Sequence, residues 1–164
     1  MKEKLAKTNA ARMLDKSKIP YRLIPYEVDE NDLSAIHIAQ TLNQNIKQIF
    51  KTLVLNGDKT GHLVCVVPGD HEIDLKKAAK VSGNKRCELI SVKELFPLTG
   101  YIRGGCSPIG MKKRFPTYIH NTVRDFDRVF VSAGVRGLQL ELSPDNLVKA
   151  SNAKIDDLTA KQEI

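Results

Sequence analysis

One lysine of the sequence has an unusual place within a predicted β-strand. Side chains alternate between the two faces of a strand, so Lys51 shares its face with the apolar residues Ile49 and Leu53. A charge in an apolar row must reach solvent, find a partner or line a pocket that binds an anion. The alternative is a lysine that protects an edge strand from pairing with another chain, and the pattern leaves both interpretations open.

A glycine-rich segment lies at residues 104–110, with three glycines and one proline in seven residues. Such a backbone has a fixed shape and can approach a ligand closely. A serine-nucleophile elbow is excluded, because Ile109 replaces its last glycine and Pro108 removes the amide N–H that follows Ser107. We interpret the segment as a cradle of backbone amides and one hydroxyl, with a purely structural turn as the alternative.

A second turn-forming segment, residues 132–137, lies between two predicted strands. Its two glycines permit a tight reversal of the chain, and Arg136 is suited to hold a phosphate or carboxylate group. A hairpin turn with a solvated arginine is the alternative, and it requires no function.

Basic residues are concentrated in two places, in a chain with 26 Lys and Arg, 19 Asp and Glu and a formal net charge of +7. The cluster around the glycine-rich segment contains Arg103, Lys112, Lys113 and Arg114. The other cluster, on a predicted helix, contains Lys76, Lys77 and Lys80. Two such clusters favour contact with a phosphate backbone, without sequence specificity, and two solvated surfaces are the alternative.

Other kinds of chemistry find little support in the composition. The chain has three widely spaced cysteines and four scattered histidines, without a Cys-x-x-Cys or His-Glu-x-x-His pattern. We therefore expect no disulfide framework, no metal and no cofactor. Cys106 has no suitably spaced histidine and is interpreted as a small buried side chain. Carboxylate pairs such as Asp125 and Asp127 lie in polar segments, which predicts no ordinary acid/base dyad.

Length and hydropathy predict a single domain over residues 1–164. The first residues lack the apolar stretch of a signal peptide, and the longest apolar run, residues 63–67, is far shorter than the roughly 20 residues that cross a bilayer. We therefore expect a cytoplasmic protein that does not enter a membrane.

Alternating patterns and turn residues predict several short strands, joined by hairpins as well as by helices. The clearest hairpin turn is residues 56–61, because Asn and Gly tolerate the positive φ that such turns require. The predicted strands span residues 21–26, 49–55, 62–67, 117–120, 128–132 and 137–142.

Capping residues and helical spacing predict five helices. The first contains Leu5, Ala6, Ala10, Met13 and Leu14 and ends before Pro20. The second begins at the cap Ser34, with Ile36 and Ala39 facing inward. The others begin at Asp74, at a capping box of Ser91 and Glu94 before Pro97, and at Ser143 with Pro144. Together the elements predict an α+β domain on a curved, mixed and barrel-like sheet flanked by helices.

Five blocks of the sequence, taken in order and spacing, resemble a known family. They are residues 24–27, 50–53, 74–77, the segment 104–110 with Lys112, Lys113 and Arg114 behind it, and residues 131–138. Together they resemble the YbaK/EbsC family of aminoacyl-tRNA editing proteins, and the similarity extends from about Leu14 to Leu158. It is greatest to the branch described as Cys-tRNA(Pro)/Cys-tRNA(Cys) deacylases.

The resemblance implies a mixed, barrel-like sheet and an enzyme that hydrolyses the ester between a wrong amino acid and its tRNA. It implies catalytic roles for Lys51, Gly104, Gly105 and Ser107. It implies substrate-binding roles for Tyr26, Gly110, Ser132, Gly134 and Gln139, and some members carry an aspartate in place of Gln139. Arg103, Lys112, Lys113 and Arg114 would then contact the tRNA backbone.

The implied mechanism requires little of the protein, because an aminoacyl ester is already activated. The glycine-rich segment would stabilise charge on the ester oxygen, and Lys51 would hold the terminal phosphate or ribose. The attacking group is either water or, as the family implies for cysteine editing, the substrate's own thiol. Such substrate-assisted attack would explain why the sequence has no triad or dyad.

Several functions remain open at this point. Cys-tRNA(Pro) is the expected substrate, with Ala-tRNA(Pro) or Ser-tRNA as alternatives. Further alternatives are a non-catalytic module that binds tRNA or a synthetase and, less favoured, a protein with a pocket for a small ligand. The family implies prolyl-tRNA synthetase as a partner, and the sequence leaves the oligomeric state open.

Overall fold

The computed structural model describes residues 7–160, which contain eight β-strands and five α-helices. The strands are β1 Arg22–Pro25, β2 Phe50–Gly57, β3 Gly61–Pro68, β4 Cys87–Leu89, β5 Thr117–His120, β6 Val129–Ser132, β7 Leu138–Leu142 and β8 Lys154–Asp156. The helices are α1 Asn9–Lys16, α2 Ala35–Leu42, α3 Leu75–Ser82, α4 Val92–Thr99 and α5 Pro144–Ser151. Two 3-10 turns, Ile46–Gln48 and Asn121–Asp125, precede β2 and β6.

The strands form two sheets. An antiparallel sheet has the order β1-β7-β6, and a mixed sheet has the order β4-β2-β3-β5-β8. An isolated parallel bridge between Ile49 and Phe130 connects them at the start of β2. The predicted α+β fold with mixed sheets is confirmed, and β6 and the start of β2 approach each other where the two sheets meet.

The β2–β3 hairpin is the longest ladder of the mixed sheet, with Phe50 opposite Pro68 at one end and Gly57 opposite Gly61 at the other. Gly61 has a φ of +80°, which is the conformation that the predicted turn requires. By contrast, β3 pairs with β5 in parallel, and β5 pairs with β8 in parallel. β4 and β8 have only three residues each, and the sequence pattern did not predict them.

Three of the predicted helix caps are present. The Ser34, Asp74 and Ser143 side chains accept backbone N–H groups in the first turns of α2, α3 and α5. α1 begins at Asn9, and its expected members Leu5 and Ala6 lie outside the described residues.

Three expectations for the helices are wrong. Ser91 makes no side-chain cap, and α4 continues through Pro97 instead of ending before it. The last turn after Pro97 is still hydrogen-bonded, since the Thr99 hydroxyl donates to the Leu95 carbonyl (2.7 Å) and the Gly100 amide donates to the Phe96 carbonyl (2.8 Å). In α2, Ile36 is exposed, because the buried stripe runs through Ile38 and Ala39 one position further along.

The main core lies between the sheets and joins Phe50 and Val54 of β2 to residues of β6 and β7 such as Val131 and Leu140. A second cluster covers the other face of the mixed sheet and contains Leu55 with Ala78 of α3. The interior strands therefore have two apolar faces. Within residues 7–160, no helix is both long and apolar enough to cross a membrane.

Candidate active site

A cavity of about 350 Å³ lies where β2, the start of α2, residues 103–106 and the paired strands β6 and β7 approach each other. We call it the Lys51 cavity. Five residues that the sequence assigned to the site line it together: Lys51, Arg103, Gly104, Ser132 and Gln139. The sequence separation between β2 and β7 shows that tertiary packing, and not a local motif, assembles this site.

Lys51 is half-buried on β2, where it is paired with Val67 of β3. β4 pairs only with the far end of β2, at Leu55–Gly57, so among the described residues Lys51 lies where β2 pairs with β3 alone, and the interpretation as a protective edge lysine stays an alternative. Burial lowers the pKa of the Lys51 ammonium, and the nearby charges of Glu72 and Asp70 partly oppose this shift. Lys51 lines the cavity, and its positive charge would attract an anion there.

The glycine-rich segment packs tightly against the turn between β6 and β7. A Cβ on Gly105 would lie 3.0 Å from the backbone of Val135 and Arg136, so only glycine fits without displacing that turn. Arg136 donates to the Arg103 carbonyl (2.9 Å) and to the Glu30 carboxylate (2.7 Å). The guanidinium thus fixes the segment, which replaces the expectation that Arg136 holds a ligand phosphate.

The backbone donors of the segment differ in their availability. The Gly105 N–H donates to the Ile102 carbonyl (2.9 Å), and the buried Ser107 hydroxyl accepts the Ile109 N–H (3.2 Å). Within the described residues, the N–H groups of Gly104 and Cys106 have no such partner, and both residues line the cavity. Gly104 and Cys106 therefore have unpaired amides at the cavity, whereas the Gly105 N–H is bonded within the segment, and the catalytic roles of Gly105 and Ser107 stay predictions.

Gly110 and Gly134 lie outside the cavity lining and accommodate one buried tyrosine. A Cβ on Gly110 would lie 2.7 Å from the Tyr101 hydroxyl oxygen, and a Cβ on Gly134 would lie 2.8 Å from the Tyr101 ring. Both glycines also have positive φ, of +79° and +109°. Tyr101 also donates to the Ile109 carbonyl (2.6 Å), so these contacts hold the segment in place. Gly110 in addition lines a second groove together with Lys113 and Arg114, and the substrate-binding roles of both glycines stay predictions.

Tyr26 also lies outside the cavity lining. Its amide donates to the Gly137 carbonyl (2.9 Å), and its side chain packs with Ile38, Ile49 and Phe130. Since Ile38 and Ile49 line the cavity, Tyr26 lies behind the cavity wall. The structure thus places it where it supports the site without lining it.

The cavity contains three polar residues that the sequence analysis did not assign to it, Ser34, Thr52 and Cys106. Burial raises the pKa of the Cys106 thiol to about 12, so the thiol stays protonated and is a poor nucleophile. Thr52 is a polar residue between Phe50 and Val54 in a row that packs into the core, and this break in the pattern was the available signal. Ser132 also lines the cavity, and its hydroxyl accepts the Gly134 N–H (3.1 Å).

The predicted basic cluster is divided between two places. Arg103 lines the Lys51 cavity, whereas Lys113 and Arg114 line a larger groove of about 560 Å³ together with Lys149. We call it the Lys149 groove. Lys112 is exposed beside it but does not line it. Within residues 7–160, no group of three His, Cys, Asp or Glu side chains is arranged to hold a metal ion.

Known proteins are similar to this chain in sequence and in fold. A relative from Enterococcus faecalis, named "Putative Cys-tRNA(Pro)/Cys-tRNA(Cys) deacylase EbsC", is 48% identical over 156 residues, which are 95% of each chain. A proline–tRNA ligase from Staphylococcus aureus is 28% identical over 110 residues, which are 67% of this chain but 19% of the ligase. The same fold occurs in a crystal structure described as that of "a putative trans-editing enzyme for prolyl tRNA synthetase". Its TM-score is 0.82 and its identity is 23%, with 93% of this chain and 96% of the other covered.

The match to a described family is extensive. Residues 30–150 match the family described as the aminoacyl-tRNA editing domain, and this range includes Lys51, residues 103–110 and Gln139. The resemblance inferred from five blocks of sequence is therefore confirmed. The chain belongs to the aminoacyl-tRNA editing domain family.

Proposed function

We propose that this protein is a trans-acting deacylase of mischarged aminoacyl-tRNA and that its preferred substrate is Cys-tRNA(Pro). The observation that carries the proposal is the half-buried Lys51, which faces a cavity also lined by the free amides of Gly104 and Cys106. The 48% identity to a relative named for deacylation of Cys-tRNA(Pro) and Cys-tRNA(Cys) supports the same substrate class.

The cavity has dimensions suited to the aminoacylated end of a tRNA. A volume of about 350 Å³ lies within the range of small-molecule sites, which is about 300–1,000 Å³. Ile36, Ile38 and Phe50 give it an apolar side, against which a small side chain can pack. A pocket of fixed shape can exclude proline, but shape alone separates Cys, Ala and Ser only weakly.

In the proposed reaction, the protein positions the ester and supplies no nucleophile of its own. The Lys51 ammonium binds the terminal phosphate or ribose, and the N–H groups of Gly104 and Cys106 stabilise negative charge on the ester oxygen. The substrate thiol loses its proton and its sulfur attacks the carbonyl carbon, the bond from that carbon to the ribose oxygen breaks, and this oxygen takes up the proton that the thiol lost. The products are free tRNA and a cyclic thioester of cysteine.

The Lys149 groove is the proposed contact for the tRNA backbone. Lys113 and Arg114 are exposed at its margin, and Lys149 of α5 contributes a third cation from a distant part of the chain. Each phosphate contact releases counterions, so the affinity for tRNA should fall steeply as salt is raised. Arg103, at the Lys51 cavity, would bind phosphate close to the reacting end.

Prolyl-tRNA synthetase is the proposed protein partner, and the cytoplasm is the proposed location. The similarity to proline–tRNA ligases covers a segment within much longer enzymes, so the editing domain and the synthetase occur together in those proteins. A separate deacylase would gain access to newly mischarged tRNA(Pro) by binding the synthetase.

A panel of mischarged tRNAs tests the proposed function. Wild type should deacylate Cys-tRNA(Pro) faster than Ala-tRNA(Pro) and Ser-tRNA, and Lys51→Ala should lose this activity. Lys59→Ala is the matched control, because Lys59 is an exposed lysine of the β2–β3 turn remote from the cavity lining. Binding of tRNA by wild type without turnover on any substrate would contradict the proposal and identify a binding module. Equal rates for Cys-tRNA(Pro) and a thiol-free analogue would contradict the thiol mechanism.

A further inference from the structure

Two residues that line the Lys51 cavity have buried side-chain oxygen atoms that lack hydrogen-bond partners. Among the described residues, neither the Thr52 Oγ1 atom nor the Gln139 Oε1 atom has a partner. Gln139 is only 2% exposed, and its backbone is paired with β1 on one side and with β6 on the other. Buried polar groups in folded proteins are nearly always satisfied, so two exceptions in one cavity call for an explanation by a ligand.

Both groups are neutral and can donate as well as accept hydrogen bonds. A hydroxyl rotates freely, and a half-turn of the terminal torsion exchanges the oxygen and nitrogen of a carboxamide. The pair is therefore suited to a small group that both donates and accepts. Within the aminoacyl group of such an ester, the group that fits this description for every amino acid is the uncharged α-amine.

The charges around the cavity favour the neutral amine over the ammonium form. The ionisable residues in its lining are Lys51 on β2, Arg103 on the loop and the protonated thiol of Cys106. Asp70 and Glu72 contribute negative charge near Lys51 but do not line the cavity. An α-ammonium group would therefore meet two cations without a carboxylate in the lining, whereas the neutral amine meets no repulsion.

We propose that Gln139 and Thr52 form an uncharged subsite that binds the α-amino group of the aminoacyl ester in its neutral form. This inference rests on the proposed function, because it assumes that the ester occupies the Lys51 cavity. The subsite would distinguish aminoacyl esters from esters of acids that lack the amine. It would also make binding stronger as the pH rises through the pKa of the substrate amine, which is about 7.7–8.0 for an unperturbed α-amino group.

A pair of non-hydrolysable ligands isolates the contribution of the amine. The probes are 3'-alanylamido-3'-deoxyadenosine and 3'-propionylamido-3'-deoxyadenosine, which differ only in the α-amino group. Wild type should bind the alanyl compound about tenfold more tightly at pH 8, and this ratio should shrink toward one at pH 6. In Thr52→Val and Gln139→Leu, the ratio at pH 8 should fall to near one while the affinity for the propionyl compound stays the same.

Two further variants complete the test. Gln139→Asp should reverse the pH dependence, because a carboxylate would favour the ammonium form. Thr122→Val is the matched control, because Thr122 Oγ1 is also buried without a partner but lies outside the cavity lining. It should leave the ratio unchanged.

The possible outcomes separate the two claims. Binding of both compounds with a ratio that Thr52→Val and Gln139→Leu do not change would overturn the subsite and leave the deacylase proposal standing. Failure of wild type to bind either compound or to deacylate any mischarged tRNA would overturn the proposed function, and the subsite with it.

Discussion

The Lys51 cavity and a separate polar cluster near α3 and β5 use similar residue types in different ways. The cluster consists of His71, Lys77, His120, Asp157 and Thr159, and we call it the His71–His120 cluster. Its Thr159 hydroxyl lies 3.1 Å from His71 Nδ1 and 3.3 Å from His120 Nε2. Lys77 donates to Asp157 (2.8 Å) and to the Thr159 carbonyl (2.7 Å).

The difference between these regions is the satisfaction of their polar groups. In the His71–His120 cluster each side chain has a partner, and the Leu158 N–H completes His120 at its Nδ1 atom (3.1 Å). In the Lys51 cavity, Thr52 and Gln139 have buried oxygens without partners among the described residues. Satisfied polar groups stabilise a fold, whereas unsatisfied groups that line a cavity indicate a place for a ligand.

The largest expected effect is the loss of activity in Lys51→Met. Because the ammonium is held in a half-buried position, we expect the deacylation rate to fall by about 100-fold or more. The free energy of unfolding should stay the same or rise, since the substitution removes a desolvated charge. Single-turnover deacylation and urea unfolding of the same preparation measure the two quantities. A large loss of stability would show that Lys51 belongs with the structural polar groups.

Thr159→Val should have the opposite profile. It removes the hydroxyl between His71 and His120, so we expect the free energy of unfolding to fall by about 1–3 kcal/mol. Deacylation measured well below the new unfolding midpoint should be unchanged. Impaired catalysis in a fully folded Thr159→Val protein would contradict the division into a structural cluster and a functional cavity.

The pH dependence of stability provides a smaller effect. Burial lowers the pKa of the His120 imidazole, the neighbouring His71 and Lys77 lower it further, and Asp157 and Asp125 only partly oppose this shift. The unfolded chain therefore takes up this proton at a higher pH than the folded protein does, and stability falls as the pH drops below the ordinary histidine pKa of about 6.5. In His120→Gln, the free energy of unfolding should depend less on pH between about 7 and 5.5. His62→Gln is the control, and an equal effect of both substitutions would count against this explanation.

The smallest expected effect is on the stability of Thr52→Val. Replacing an unpartnered buried hydroxyl by a methyl group should leave the free energy of unfolding within about 0.5 kcal/mol of wild type, or raise it. Thermal and urea unfolding measure this directly. A loss comparable with that of Thr159→Val would show that Thr52 has a structural partner in solution.

Local elements of the fold were predictable from the sequence, because their signals lie within a few residues. The β2–β3 hairpin and the caps Ser34, Asp74 and Ser143 follow from backbone conformation and short-range hydrogen bonds. The strands β4 and β8 were not predictable in the same way, since three residues carry no clear alternation. Pairing with a neighbouring strand determines their conformation: β4 pairs with β2, and β8 pairs with β5.

The site was predictable in part, and the limits have physical causes. Lys51 stood out because it is a charge in an apolar row, and the structure places it in the cavity lining. Thr52 did not stand out, because β2 is buried on both faces and alternation does not tell which face binds a ligand. Gly110 and Gly134 were assigned to substrate binding, and the sequence could not show that Tyr101 is the neighbour they accommodate.

The bonds of Arg136 have a consequence for experiments at different ionic strengths. Its ion pair with Glu30 is partly open to solvent, with 29% of the arginine side chain and 68% of the glutamate side chain exposed. Added salt screens such a pair and so loosens the attachment of residues 103–105 to the neighbouring turn. A salt titration with intact tRNA therefore measures two effects together, the weaker contacts to the tRNA backbone and the looser attachment of residues 103–105 at the Lys51 cavity. A titration with a short aminoacyl-adenosine probe measures mainly the looser attachment of these residues.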